Sequence, residues 1–178
     1  VQELRIKHRW EAIEQENLAI ENAKKNKKTY RPVVLINGDT IKQLLARSRY
    51  LLFKSESKWT EQQRLRSTLL FELYPDIKKA YELSQSLRNI FSETRGKIYA
   101  TTRLARWHEQ VAQSGFKSFN TISRTIQNHY LTILNYFDNR STNASAESFN
   151  AKIKAFRSQF RGVRNVEFFL YRLTQIYA

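Results

Sequence analysis

Glu147 is an acidic residue in a segment that is otherwise basic. From Arg140 to Arg164 the chain has six lysines and arginines, and Glu147 is the one carboxylate among them. Such a carboxylate either forms salt bridges with the surrounding cations or is held where phosphate and metal ions would meet it. On pattern alone the salt-bridge interpretation is the more common one, and the chemical interpretation stays open beside it.

The element that must position Glu147 is a helix predicted to begin near Asn143. Apolar residues recur along it at spacings of three and four and so form one face that must be buried: Ala146, Phe149, Ile153, Phe156 and Phe160. A second row is displaced by about 100° around the helix, and it consists of Glu147, Asn150, Lys154, Arg157 and Arg161. The helix therefore places one acid and several cations beside a buried face.

The same segment resembles the C-terminal signature of DDE transposases of the ISL type of bacterial insertion sequence. The family pattern is Thr-Asn-x-x-x-Glu-x-x-Asn-x-x-Ile-Lys, then a basic stretch and a Gly-x-Arg-Asn turn. The matching residues are Thr142, Asn143, Glu147, Asn150, Ile153, Lys154, Gly162, Arg164 and Asn165. Residues 44–52 and the helix around Trp107 are also similar to the helical insertion of that family, so the resemblance covers nearly the whole chain.

The resemblance implies a ribonuclease H-like catalytic domain in which two aspartates and one glutamate bind two divalent metal ions, magnesium or manganese. It makes Glu147 the final catalytic carboxylate and a metal ligand. It also implies DNA contacts for the amides and cations of the signature, which are Asn143, Asn150, Lys152, Lys154, Arg157, Arg161 and Arg164. The implied partners are transposon ends and target DNA, and the implied location is the bacterial cytoplasm, at the nucleoid.

The chain departs from the family in its aspartates. In the family the two catalytic aspartates precede the helical insertion and lie on strands, but this chain has no strand-rich region to supply them. We interpret Asp39 as a cap or turn residue, Asp76 as a first-turn helix residue and Asp138 as a connector residue. The chain also lacks Met, which suggests that it begins inside a longer protein. We therefore expect an incomplete C-terminal fragment that is inactive alone.

Helical spacing dominates the rest of the chain. With only four Gly and two Pro, and apolar residues three and four apart, we predict an all-α bundle of about seven to eight helices without a sheet. Predicted helices span about 1–28, 40–53, 60–74, 75–91, 97–113 and 118–137, followed by two more; residues 30–39 alone could be extended. We assign 1–137 to the helical insertion region and 138–178 to the C-terminal helices.

The strong positive charge indicates a polyanionic partner. The formal net charge is +15 and the pI is about 10.2, which favours nucleic acid. No apolar run approaches the roughly 20 residues that cross a bilayer, and no cysteine is present. Two other functions stay open: a stand-alone basic helical DNA-binding protein, and a structural bundle whose charge confers solubility.

Several smaller patterns have both structural and functional interpretations. The helix after Ser114-Gly115 could read DNA in a helix-turn-helix through Ser123, Arg124, Gln127 and Asn128, or belong to an ordinary helical hairpin. Phe116 and Phe119 could stack on bases, although core packing is the more common role.

His8, His108 and His129 lack the spacing of zinc ligands, and we interpret Trp107, His108 and Glu109 as a packing group. The apolar face beside Glu147, without its sheet, predicts oligomerisation or repacking of the last two helices.

Overall fold

A computed structural model describes residues 1–139 and seven single positions after them, at 151, 154, 155, 158, 167, 168 and 171. Residues 1–139 fold into seven α-helices, which confirms the all-α prediction for this part of the chain. They are α1 (Gln2–Lys25), α2 (Ile41–Arg47), α3 (Glu61–Leu73), α4 (Pro75–Glu93), α5 (Lys97–Ser114), α6 (Lys117–Asn128) and α7 (Tyr130–Asn139). Two single-turn 3-10 helices, Leu51–Phe53 and Glu56–Lys58, lie between α2 and α3.

The loop between α1 and α2 contains the extended stretch that the sequence predicted. Val34 forms a single antiparallel bridge with Thr40, and the amide of Gly38 donates to the carbonyl of Leu35 across the turn at 2.8 Å. Gly38 has a φ of +80°, a left-handed conformation that glycine adopts without steric cost. The stretch therefore forms a local turn and, within the described residues, joins no sheet.

Two helices begin with reciprocal capping boxes. The hydroxyl of Thr60 accepts from the amide of Gln63 at 3.3 Å, and the Gln63 side chain accepts from the amide of Thr60 at 3.2 Å. Thr40 and Gln43 do the same at the start of α2. Each box satisfies two backbone donors that a helix start leaves without partners. At α2 the cap is Thr40 rather than Asp39.

Two predicted helices are shorter than expected. The helix beginning at Ile41 ends at Arg47 and continues only as the 3-10 turn at Leu51–Phe53, so the predicted end near Phe53 is wrong. The predicted helix 118–137 is two helices, α6 and α7, separated at His129, where φ is −109° and ψ is 24°. Neither break carries Gly or Pro, the residues that mark breaks in a sequence. The breaks instead accompany the packing of separate short helices on the core.

Helix α4 lies between two hydrophobic clusters and joins them. Ile77 and Tyr81 pack with residues from α2, the first 3-10 turn and α3, namely Leu44, Leu45, Leu51, Leu52 and Leu70. Other α4 residues pack with α5, α6 and α7 in a second cluster of Ala80, Leu83, Ile90, Ala100, Leu104, Trp107, Val111, Phe119, Ile126, Leu134 and Phe137. The indole of Trp107 also donates to the carbonyl of Leu83 at 2.9 Å. Because α4 contributes buried side chains to both clusters, the bundle is continuous.

Candidate functional site

The predicted catalytic segment lies almost entirely outside the described residues. Among the predicted site residues, Lys154 is described, and it is helical and exposed. One turn further on, the hydroxyl of Ser158 donates to the carbonyl of Ala155 at 2.7 Å. Helical, exposed positions at 154 and 158 agree with the predicted helix. The predicted residues outside the described set are Asn143, Glu147, Asn150, Lys152, Arg157, Arg161 and Arg164.

Asp39 is the most deeply buried carboxylate in the described part of the chain. Its side chain is 1% exposed and accepts from Arg66 Nε at 2.9 Å and also from Arg47. The side-chain amide Nδ2 of Asn37 donates to the same carboxylate at 2.9 Å. Burial acts to raise the pKa of Asp39, but hydrogen bonds and charge from Arg66 and Arg47 outweigh it and lower the pKa. Asp39 is therefore an ionised structural anchor that joins the α2 region to α3.

The other two aspartates also have partners on separate helices. His8 Nε2 lies 2.6 Å from Asp76 Oδ2 and connects α1 to α4, while His8 Nδ1 lies 2.9 Å from Glu11 Oε2. Lys97 Nζ lies 2.7 Å from Asp138 Oδ2 and connects α5 to α7. The interpretation of Asp76 as a first-turn helix residue is confirmed. The interpretation of Asp138 as a connector residue is wrong, because Asp138 lies inside α7. The sequence offered no signal for the pairing of His8 with Asp76.

The three aspartates do not come together into one site. Each is held by a different partner, and the described residues contain no group of three or more His, Cys, Asp or Glu side chains that could hold a metal ion. A pair of divalent ions needs several carboxylate oxygens as ligands. The described residues therefore do not fit the metal pair that the resemblance implies.

The packing of α6 against α5 contradicts one part of the helix-turn-helix hypothesis, the DNA contact of Ser123. Gly115 ends α5 with a φ of +76°, as a left-handed helix terminator does. Ser123 is 8% exposed, and its hydroxyl is hydrogen-bonded to His108 Nδ1 at 2.7 Å. It faces α5 and not the outside, so in the helix-turn-helix alternative Ser123 is not placed to contact DNA. The other three predicted residues, Arg124, Gln127 and Asn128, are exposed.

The aromatic residues near this hairpin belong to the core. The rings of Phe116 and Phe119 lie 5.9 Å apart, Phe119 is buried, and Phe116 packs against the same cluster. Stacking of these two rings on bases is therefore not supported. Burial lowers the pKa of the neighbouring His108, and its Nε2 is buried without a hydrogen-bond partner in the described part of the chain. Trp107 and His108 thus form a packing group as predicted, while Glu109 is exposed.

The described part of the chain has exposed lysines on its surface and no helix of the kind that spans a membrane. Lysines 24, 25, 27 and 28 at the end of α1 are all exposed. These lysines therefore form an exposed basic run at the end of α1. None of the helices in the described ranges is long and apolar enough to cross a bilayer.

Comparison with known proteins agrees with the motif around Glu147. A family described as transposase, of the DDE class and ISL3 type, matches residues 1–173. The transposase for insertion sequence element IS1001 of Bordetella parapertussis is 24% identical over 132 residues, which are 74% of this chain and 32% of that relative. No solved structure matches the chain. Because the family match extends over nearly its whole length, the chain belongs to the ISL3-type family of DDE transposases.

Proposed function

We propose that this chain is the helical C-terminal part of a DDE transposase that cleaves DNA and transfers strands. In this proposal residues 1–137 are the helical insertion, and residues 138–178 carry the last catalytic carboxylate, Glu147. The observation that carries it is the signature at residues 142–165, which lies inside the family match over residues 1–173. Magnesium or manganese, the transposon ends, the target DNA and a place at the bacterial nucleoid belong to the intact enzyme.

We also propose that the chain alone holds an incomplete active site. The three aspartates each have a side-chain partner. Arg66 and Arg47 hold Asp39, His8 holds Asp76, and Lys97 holds Asp138. Glu147 would then need carboxylates from another part of the enzyme. In support, the chain spans 32% of the length of the IS1001 transposase.

The purified chain should leave supercoiled plasmid DNA intact in the presence of magnesium or manganese. One carboxylate cannot hold the metal pair that stabilises charge on both sides of an in-line phosphate displacement. Gel electrophoresis over time measures nicked and linear products. The matched control is the same chain with Glu147→Gln. If the unmodified chain cleaves the plasmid and the Glu147→Gln chain does not, the chain contains a complete active site and the proposal is wrong.

The row of cations after Glu147 should contact DNA through the phosphate backbone. For B-DNA, the logarithm of the binding constant falls with the logarithm of salt concentration by about 0.9 per phosphate neutralised. Lys154→Gln should therefore weaken duplex binding regardless of sequence and reduce this slope by roughly 1. Fluorescence anisotropy with a labelled duplex, repeated between about 50 and 200 mM salt, measures both quantities.

The matched control for Lys154 is Lys78→Gln on α4. Lys78 is exposed and lies 3.9 Å from Glu82, so its charge is already partly compensated within the chain. If Lys154→Gln and Lys78→Gln have the same salt slope, Lys154 does not contact DNA. Absence of duplex binding by the unmodified chain, even at low salt, would contradict the DNA-contacting role altogether.

A further inference from the structure

Arg5 is a buried cation that has no acidic partner in the described part of the chain. It is 6% exposed. Its Nη1 donates to the carbonyl of Leu45 at 2.9 Å, and its Nε donates to Gln2 Oε1 at 2.7 Å. These acceptors satisfy two of its hydrogen-bond donors but do not compensate its charge. Arginine is rarely buried without a paired carboxylate or other anion.

Two more arginines lie beside it. Burial lowers the pKa of Arg5, and the positive charges of Arg9 and Arg49 lower it further. Arg9 follows Arg5 by one helical turn, and Gln2 connects α1 to the other arginine by donating to the carbonyl of Arg49 at 2.9 Å. Neither Arg9 nor Arg49 has an ion pair among the described residues.

The fold thus gathers three like charges instead of separating them. Arg9 and Arg49 are exposed and water screens their charges, but Arg5 is not screened in this way. An anion at this position would lower the electrostatic energy of all three. A guanidinium group also matches the geometry of phosphate oxygens and can donate two parallel hydrogen bonds to them.

An exposed aromatic side chain lies beside Arg49. Tyr50 is 66% exposed, and the guanidinium of Arg49 lies 5.5 Å from the centre of its ring. Cations interleaved with exposed aromatic rings are typical of surfaces that bind nucleic acid, because rings stack on bases while cations contact the backbone.

We propose that Arg5, Arg9 and Arg49, here called the arginine cluster, bind a backbone phosphate of DNA. This contact is separate from the C-terminal row that contains Lys154, and it rests on the proposed DNA-binding function of the chain. The phosphate supplies the negative charge that the described residues around Arg5 lack. Gln2 positions the cluster, since it bonds to the Arg5 side chain and to the backbone of Arg49.

The test uses the double variant Arg9→Gln with Arg49→Gln. Both side chains are exposed, so the variant should keep the melting temperature of the unmodified chain, whereas replacing buried Arg5 would disturb the fold. The control is Lys7→Gln, which removes a charge from the same helix about 200° around the axis from Arg5. Lys7 lies 3.8 Å from Glu11. The double variant should lower the salt slope of duplex binding by roughly 1, and Lys7→Gln should leave it unchanged.

The outcomes separate this inference from the proposed function. If the unmodified chain binds duplex DNA and the double variant shows the same salt slope, the inference is wrong and the proposed function is unaffected. No duplex binding at low salt would overturn both. A second arm compares melting temperatures in inorganic phosphate and in chloride at equal ionic strength. Suppose that phosphate raises the melting temperature of the unmodified chain but not of the double variant, while both bind DNA equally. The arginine cluster would then bind free phosphate, and the DNA assignment would be wrong.

Discussion

Replacing Glu147 by glutamine in the intact transposase should lower the rate of DNA cleavage by about 10³-fold and leave binding of transposon ends nearly unchanged. Glutamine keeps the size of the side chain but removes the negative charge that a divalent ion requires. A bound metal ion contributes several kcal/mol of charge stabilisation to such reactions. Since each 1.36 kcal/mol is a factor of ten in rate, loss of about 4 kcal/mol produces this effect.

Cleavage of a labelled end fragment measures the rate, and anisotropy with the same fragment measures binding. Glu167→Gln is the matched control, because it makes the same chemical change in the C-terminal segment at a position that is exposed. We expect the control to cleave at the unmodified rate. Retained cleavage by Glu147→Gln would refute the catalytic role of Glu147. Equal loss in both variants would indicate a general effect of charge in this segment.

Replacing Asp39 by asparagine should destabilise the chain by about 3 kcal/mol, near the lower end of the range for breaking a buried ion pair. The carboxylate is 1% exposed, and the Arg66 side chain that donates to it is 18% exposed. Without Asp39 the charge of Arg66 is left largely desolvated. Arg47, with a 55% exposed side chain, can turn to water, and for this reason we expect the lower end of the range.

Urea unfolding at neutral pH measures this loss, and Asp138→Asn is the matched control. Asp138 and its partner Lys97 are 42% and 43% exposed, and exposed pairs contribute at most about 1 kcal/mol. A loss for Asp39→Asn no larger than that of the control would contradict the anchoring role.

The loss caused by Asp39→Asn should also depend on pH. The pKa of Asp39 is lowered in the folded chain from its usual 3.8. The stabilisation is therefore complete above that value and is lost as the pH falls through the folded pKa. The difference in free energy of unfolding between the two chains should be constant from pH 5 to pH 8, a window well above the pKa of an ordinary aspartate, and should shrink in stronger acid. A difference that grows in acid would have the wrong sign for this mechanism.

The fold was predictable where its signals are local. The capping box at Thr60 and Gln63, the stop at Tyr74-Pro75 and the left-handed Gly115 all act within a few residues, so each marks a helix end in the sequence. The break at His129 and the early end of α2 have no such residues. They depend on how separate helices pack against α5 and α4, and hydrophobic spacing is nearly the same for one long helix and for two short ones.

The sequence by itself determined the helical class, the strong positive charge and the family, because periodicity, composition and the motif around Glu147 are properties of the linear chain. The tertiary structure alone decided which charges meet. It paired His8 with Asp76, buried Asp39 between Arg47 and Arg66, and joined Arg5 to the backbone of Arg49 through Gln2. Such contacts join residues far apart in the chain, and they depend on helix packing, which the spacing of apolar residues within a single helix does not specify.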